Sequence, residues 1–426
     1  MRTSMTAAIS TPQHPPKLRH AIGPGILMAA AAIGGSHLVA STQAGALYGW
    51  GLLGLLLAVN LLKYPFFEFG MRYTAYSQKT LPHGYRQMGK AWLSLFTALV
   101  VFSGVVNIAA LTGLTGTMLS WLIPGVTSKQ LAIGVGITCL AVVVFGHYRW
   151  VDAVSKWIVA SLALVTLIAA SLALGQDSVA SQQLDFVSPS PWTLASLAFL
   201  VSFMGWMPAP VEVVAMNTVW NRERAKLCGG QLNPKHCLTD LNMGYITTAI
   251  LAVIFLVLGA QVLHGSDQAL AKSSAAFAQQ FADMYATVIG DWSRWLVILA
   301  AVLCIYSSTL SCVDGYSRVS KACIDNLKSQ KDSEDTQSLG WILSMSLGSL
   351  AIVLFFAGSL MAMLKFAMIA AFLTTPIFAL LNFRLMHKNL LPEEAKPAAW
   401  LNALAIAGLI FLYGFAVLFI WWQWLA

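Results

Sequence analysis

Four polar stretches interrupt apolar runs in this sequence, and they are where it could do chemistry. Gly34, Gly35, Ser36 and His37 lie in the middle of the run 22–49. Met207, Pro208, Ala209 and Pro210 lie in the middle of 192–219, with Glu212 shortly after them. Ser307, Ser308, Thr309 and Ser311 crowd the run 287–316, with Asp314 one turn on. Lys63, Glu68 and Arg72 punctuate 51–74 around Pro65. Paired glycines let a ligand approach the backbone closely, and Ser and His can donate hydrogen bonds. A helix interrupted inside a membrane exposes backbone groups that must line a cavity or pack in protein. No HExxH motif, Ser–His pair or Asp pair suggests catalysis, so the chain is not expected to be an enzyme.

The elements that must hold these residues follow from composition. The 426 residues are 58% hydrophobic and only 10% charged, against about 45–50% and 25% in soluble domains. This excludes a soluble enzyme, a disordered chain and a nucleic-acid binder, despite a net charge of +8. Eleven apolar segments are long enough to cross a bilayer, which takes about 20 residues each. They lie near 22–49, 51–74, 92–123, 129–147, 151–174, 192–219, 241–264, 287–316, 338–357, 360–384 and 398–424. With the N-terminus inside, the inner segments hold 20 of the 25 Lys and Arg, as the positive-inside rule requires. The expected organisation is a cytoplasmic tail over 1–21, spans 1–5 over 22–174 and an extracellular loop over 175–191. Spans 6–10 over 192–388 and span 11 over 389–426 complete it. The six Cys show no disulfide framework, and Cys228 and Cys237 beside His236 match no zinc spacing. No signal peptide is evident, and the short loops suit a multi-pass protein of a bacterial plasma membrane. Such a protein contacts lipid and a small ionic substrate, not nucleic acid, as a monomer or weak homo-oligomer.

Spans 1–5 and 6–10 form two sets of five with opposite orientations. The first span of each set is interrupted, at Gly34–Ser36 and at Met207–Pro210. Paired interruptions of this kind mark the binding site of an inverted-repeat transporter. At this point the chain resembles the natural resistance-associated macrophage protein (NRAMP) family of proton-coupled divalent-metal transporters. Gly23-Pro24 through Gly45-Ala46 and Tyr48-Gly49 resemble that family's first helix, and Gln43 to Gly49 reads QAGALYG against its QAGAQYG. Met207-Pro208 resembles the start of its MPH motif, and His147-Tyr148-Arg149 and Ser307-Ser308-Thr309 also match its pattern. The resemblance implies an all-α LeuT-like fold, a 5+5 inverted repeat plus one extra helix. The departures lie at the family's metal site. Its Asp-Pro-Gly-Asn break is Gly34, Gly35, Ser36 and His37 here, so the carboxylate is gone. Met207 is kept, but the following His and Asn are Ala209 and Pro210, and a polar position in the tenth helix falls on Met368. Spans 3 and 4 hold no Asp or Glu.

Two occupants follow from two lines of thought. A divalent cation would find an imidazole, a thioether, a hydroxyl and backbone carbonyls, with no carboxylate in the break. A small anion such as bicarbonate or a small carboxylate would find two half-helix N-termini with free N–H groups. The residues favour the anion; the resemblance favours Mn²⁺, Fe²⁺ or Mg²⁺. No cofactor is expected beyond a coupling ion, Na⁺ at Ser307, Ser308, Thr309, Ser311 and Asp314, or H⁺ through His37 or Glu212. Each candidate also has a plain structural role. The glycines can serve helix packing, Met207 can fill core and Glu212 can cap a half-helix. Asp314 can pair with Arg318, and the hydroxyls can bond their own helix. Lys63 and Glu68 are expected in one polar network with Arg72, away from substrate, and Lys365 is expected to snorkel.

Overall fold

The computed structural model describes residues 23–146, 148–179, 186–227, 231–266, 274–328, 337–355 and 360–424. The described residues form helices and connecting loops without a strand. Span 1 is α1 (Pro24–Gly35), a π-helical turn over Ser36–Ser41, and α2 (Thr42–Tyr48). Span 2 is α3 (Leu53–Ser77), followed by a short amphipathic helix α4 (Leu81–Met88) that the apolar runs did not reveal. Spans 3 to 5 are α5 (Lys90–Leu122), α6 (Ser128–Phe145) and α7 (Tyr148–Leu174). Span 6 is α8 (Leu197–Trp206) and α9 (Val213–Leu227), separated by a non-helical stretch. Span 7 is α10 (Pro234–Val262), and a second unexpected helix, α11 (Ser274–Ile289), follows it. Spans 8 to 11 are α12 (Ser293–Leu327), α13 (Leu339–Phe355), α14 (Leu360–Met386) and α15 (Ala399–Trp424).

α12 is the central post, packed on α5, α1 and α7. At 35 residues it spans roughly 50 Å, more than the hydrocarbon core of about 30 Å, and Val297 through Cys323 are largely buried. α15 sits at the edge against α3 and α14, and turns Ile410 and Val417 outward, as a lipid-facing helix should.

Span 1 and span 7 meet backbone to backbone at both ends. A Cβ on Gly25 would stand 2.0 Å from the Asp240 carbonyl, and one on Gly244 would stand 2.1 Å from the Gly25 carbonyl. At the other end, a Cβ on Gly45 would stand 2.1 Å from the Leu256 carbonyl. Only glycine permits this approach, as in other small-residue membrane interfaces. Asp240 closes the contact by accepting from Gly23 N at 2.9 Å and Gly25 N at 2.5 Å, satisfying amides that a helix N-terminus leaves free.

Candidate functional site

The expected interruption of span 1 is absent. Gly34, Gly35, Ser36 and His37 are all helical, and the π turn widens the helix without opening it. The amides of Ser36 to Ser41 therefore stay in the helix, and no half-helix N-terminus is presented there. The glycines serve close approach instead: a Cβ on Gly34 would meet Ser308 Oγ at 2.7 Å, and one on Gly35 the Trp206 ring at 2.4 Å.

Span 6 is broken as expected. α8 ends at Trp206, and α9 begins at Val213. Met207, joined to Pro208 by a cis peptide, is fully buried. The Pro210 carbonyl accepts from Val213 N at 3.1 Å and starts the second half-helix. The carbonyl end of α8 is met by Lys63, whose ammonium donates to Met204 O at 2.6 Å, Gly205 O at 3.1 Å and Ala209 O at 3.4 Å. This splits the polar network expected in span 2. Glu68 pairs with Arg72, while Lys63 belongs to the break.

A cavity of about 20 Å³ lies between spans 1, 3, 6 and 8, room for about one water. Of the expected residues, Gly35, Ser36 and Pro210 line it. Asn107, Trp206, Cys312 and Tyr316 complete its polar and polarisable wall, and sequence reasoning had missed all four. Three of them form a chain. Trp206 Nε1 donates to Asn107 Oδ1 at 3.0 Å, and Asn107 Nδ2 donates to the Tyr316 hydroxyl at 2.9 Å. Tyr316 in turn donates to Glu212 Oε1 at 3.4 Å. Glu212 Oε2 is buried without a hydrogen-bond partner among the described residues. The missed residues carried signals of their own: Asn107 is a lone amide in an apolar span, and Trp206 directly precedes the break.

His37 is buried but faces α10 and not the cavity. Its Nε2–H donates to the Thr248 carbonyl at 2.7 Å, and its Nδ1 lies 2.6 Å from Ser36 Oγ. Ser36 also donates to the Ala32 carbonyl. His37 thus borders the cavity only through Ser36.

In span 8, Ser308 donates to the Ala30 carbonyl of span 1 at 2.5 Å and is 3.1 Å from the Cys304 carbonyl. Thr309 bonds back to Ile305 O at 2.8 Å. Ser311 Oγ is buried without a partner among the described residues, and Ser307 is buried beside them. Asp314 accepts from Arg318 Nε at 2.8 Å and from Trp220 Nε1 at 2.8 Å, so its carboxylate is committed to an ion pair. Cys237 is buried and free; Cys228 and His147 lie outside the described residues.

The comparisons agree with this architecture. A relative from Pasteurella multocida, itself uncharacterized, is 40% identical over 405 residues, covering 94% of this chain and 92% of its own. A variant of the Eremococcus coleocola manganese transporter has a similar structure, with a TM-score of 0.68 at 14% identity over 96% of this chain and 89% of that one. MhsT, solved with L-phenylalanine, gives 0.60 at 13% identity over 92% and 98%. Mhp1, a nucleobase-cation-symport-1 family transporter, gives 0.59 at 15% over 94% and 92%. At these identities the structures establish a shared LeuT-like fold. The model of the natural resistance-associated macrophage protein-like family matches residues 25–422, and the chain therefore belongs to the Nramp family of membrane-embedded secondary transporters.

Proposed function

We propose that this transporter moves a small oxyanion or small carboxylate, of bicarbonate size, through the cavity between spans 1, 3, 6 and 8, coupled to Na⁺ or H⁺. The observation that carries the reading is the cavity wall. Ser36, Asn107, Trp206 and Tyr316 bring hydroxyl, amide and indole groups to it, none of them is a carboxylate, and Asn107 Nδ2 has a second N–H beyond the one it gives to Tyr316. A hard divalent cation wants six or more oxygen ligands with compensating charge. Among the described residues no cluster of three or more His, Cys, Asp and Glu could hold a metal ion. Donors in a water-poor site favour an anion, whose lost hydration they replace. Span 1 offers the anion no half-helix N-terminus, because that helix is continuous through its π turn.

Na⁺ coupling draws on Ser308, whose hydroxyl meets a span 1 carbonyl and so brings oxygens of two spans together, as a hard monovalent ion needs. H⁺ coupling draws on His37 behind Ser36 and on Glu212 behind Tyr316.

A second reading keeps divalent-metal transport. It is favoured by Glu212 Oε2, which has no hydrogen-bond partner among the described residues, and by the named function of the manganese transporter that shares the fold. Uptake into proteoliposomes separates the two, with Mn²⁺, labelled bicarbonate and labelled acetate each offered with and without a Na⁺ gradient. Na⁺-dependent anion entry without Mn²⁺ entry is expected. Mn²⁺ entry without anion entry overturns the anion reading.

A further inference from the structure

A broken helix has two unlike ends. Its carbonyl end attracts cations and its amide end attracts anions. Inside a membrane each end also needs a partner. In span 6 the carbonyl end is supplied from within the chain. Lys63 is fully buried in the middle of α3, and its ammonium has three protons. Three carbonyls, of Met204, Gly205 and Ala209, take them. Glu212, across the gap and just before α9, is the acidic group in electrostatic contact with this ammonium. The carbonyl end of the break is thus capped by the Lys63 ammonium, and the Glu212 side chain stands before its amide end.

A buried Lys at this depth is costly and asks for a function. Snorkelling does not explain it, because snorkelling carries the charge to an interface, and Lys63 is enclosed by helix ends. Three carbonyls converging on a point, with a carboxylate nearby, make a cup that suits a metal ion. Gly205 and Ala209 also directly precede the wall residues Trp206 and Pro210, so the ammonium stands one peptide behind the cavity.

We propose that Lys63 determines the charge selectivity of the transporter: it is a tethered cation seated in the carbonyl cup where a free metal ion would otherwise bind. It refuses a divalent cation by occupying that ion's ligands and repelling it, and it draws an anion into the adjacent cavity. What the cavity accepts rests on the anion reading above; what it refuses rests on the Lys63 geometry alone.

The test is Mn²⁺ calorimetry on the purified full-length protein, with bicarbonate uptake measured in proteoliposomes. Lys63→Met frees three carbonyls and removes the positive charge from the cup. It should bind Mn²⁺ at least about tenfold more tightly than the wild type, the effect expected of one unit charge at short range in a partly screened interior. Lys63→Arg keeps the charge and should behave towards Mn²⁺ as the wild type does. Equal Mn²⁺ behaviour of the wild type and Lys63→Met, whether both bind or neither binds, overturns the proposal. Glu212→Gln supplies a check that does not depend on the folding of Lys63→Met. It keeps the ammonium in the carbonyl cup and should bind Mn²⁺ no more tightly than the wild type; tighter Mn²⁺ binding by this variant also overturns the proposal. Mn²⁺ uptake by the wild type that Lys63→Met raises tenfold would refute the anion reading and leave the role of Lys63 standing.

Discussion

Gly35 lies against the six-membered ring of Trp206, and one methyl group should expose how tightly the site is built. A Cβ at Gly35 would stand 2.4 Å from Cζ3, 3.2 Å from Cε3 and 3.3 Å from Cη2. Carbon atoms in contact prefer about 3.5–4.0 Å, so the indole must retreat by roughly 1 Å. It is pinned, because its Nε1 donates to Asn107 at 3.0 Å and only 4% of its surface is exposed. Overpacking costs about 1–3 kcal/mol, and a buried donor pulled from its acceptor costs about 1–3 kcal/mol more. Against this stands a helix-propensity gain of about 1 kcal/mol for Ala over Gly. The net expectation for Gly35→Ala is a loss of about 1–5 kcal/mol of stability, with uptake lost because the methyl fills the cavity. Denaturant unfolding in mixed micelles reads the first effect, and proteoliposome flux the second. Trp206→Phe removes the ring edge that the methyl would strike. The double variant should therefore be more stable than the two single changes predict, by about 1 kcal/mol or more of coupling. A Gly35→Ala protein with wild-type stability and flux, or a cycle without coupling, would refute the packing argument.

Three other residues give sharp expectations. Asp240→Asn loses a charge-assisted bond to the first turn of α1, worth about 1.5–3 kcal/mol. Hydrogen exchange at Gly25 should then quicken by about tenfold or more, and unchanged exchange would remove Asp240 as the clamp between spans 1 and 7. Asp314→Asn breaks the buried ion pair with Arg318 and should cost about 3–5 kcal/mol of stability while leaving the Na⁺ requirement unchanged. A shifted Na⁺ requirement at intact stability would return Asp314 to the ion site. Ser308→Ala should raise the Na⁺ needed for half-maximal uptake several-fold, and equal rates in choline and Na⁺ buffers would discard Na⁺ coupling altogether.

The apolar runs located the spans because bilayer length and backbone satisfaction leave few alternatives. They did not reveal α4 and α11. α4 is amphipathic and lies outside the apolar runs, so a span-length window passes over it. The break in span 6 was legible because two prolines cannot sit in a regular helix. The break in span 1 was misread. Gly34 and Gly35 look like unwinding signals, yet each answers to a neighbour, Ser308 or Trp206, that sequence separation hides. Asn107 carries no charge, so in the apolar span 3 it looks like an ordinary core amide. Lys63 was grouped with Glu68 and Arg72 by proximity along α3, although its partners lie some 140 residues away across the fold.

The asymmetry of the two halves bears on how the scaffold was reused. In span 1 the backbone keeps its hydrogen bonds through a π turn, so the helix offers side chains to the cavity and withholds its amides. In span 6 the backbone opens, Lys63 caps the carbonyl end, and Glu212 precedes the second half-helix. A divalent ion would need both features reversed, with a carboxylate in span 1 and vacant carbonyls in span 6. Losing the carboxylate alone would leave a weak metal site; under the proposal, the ammonium at the carbonyl end turns that weakness into refusal of the metal. The two differences act in the same direction, and the proposed change of substrate charge rests on that agreement more than on either residue alone.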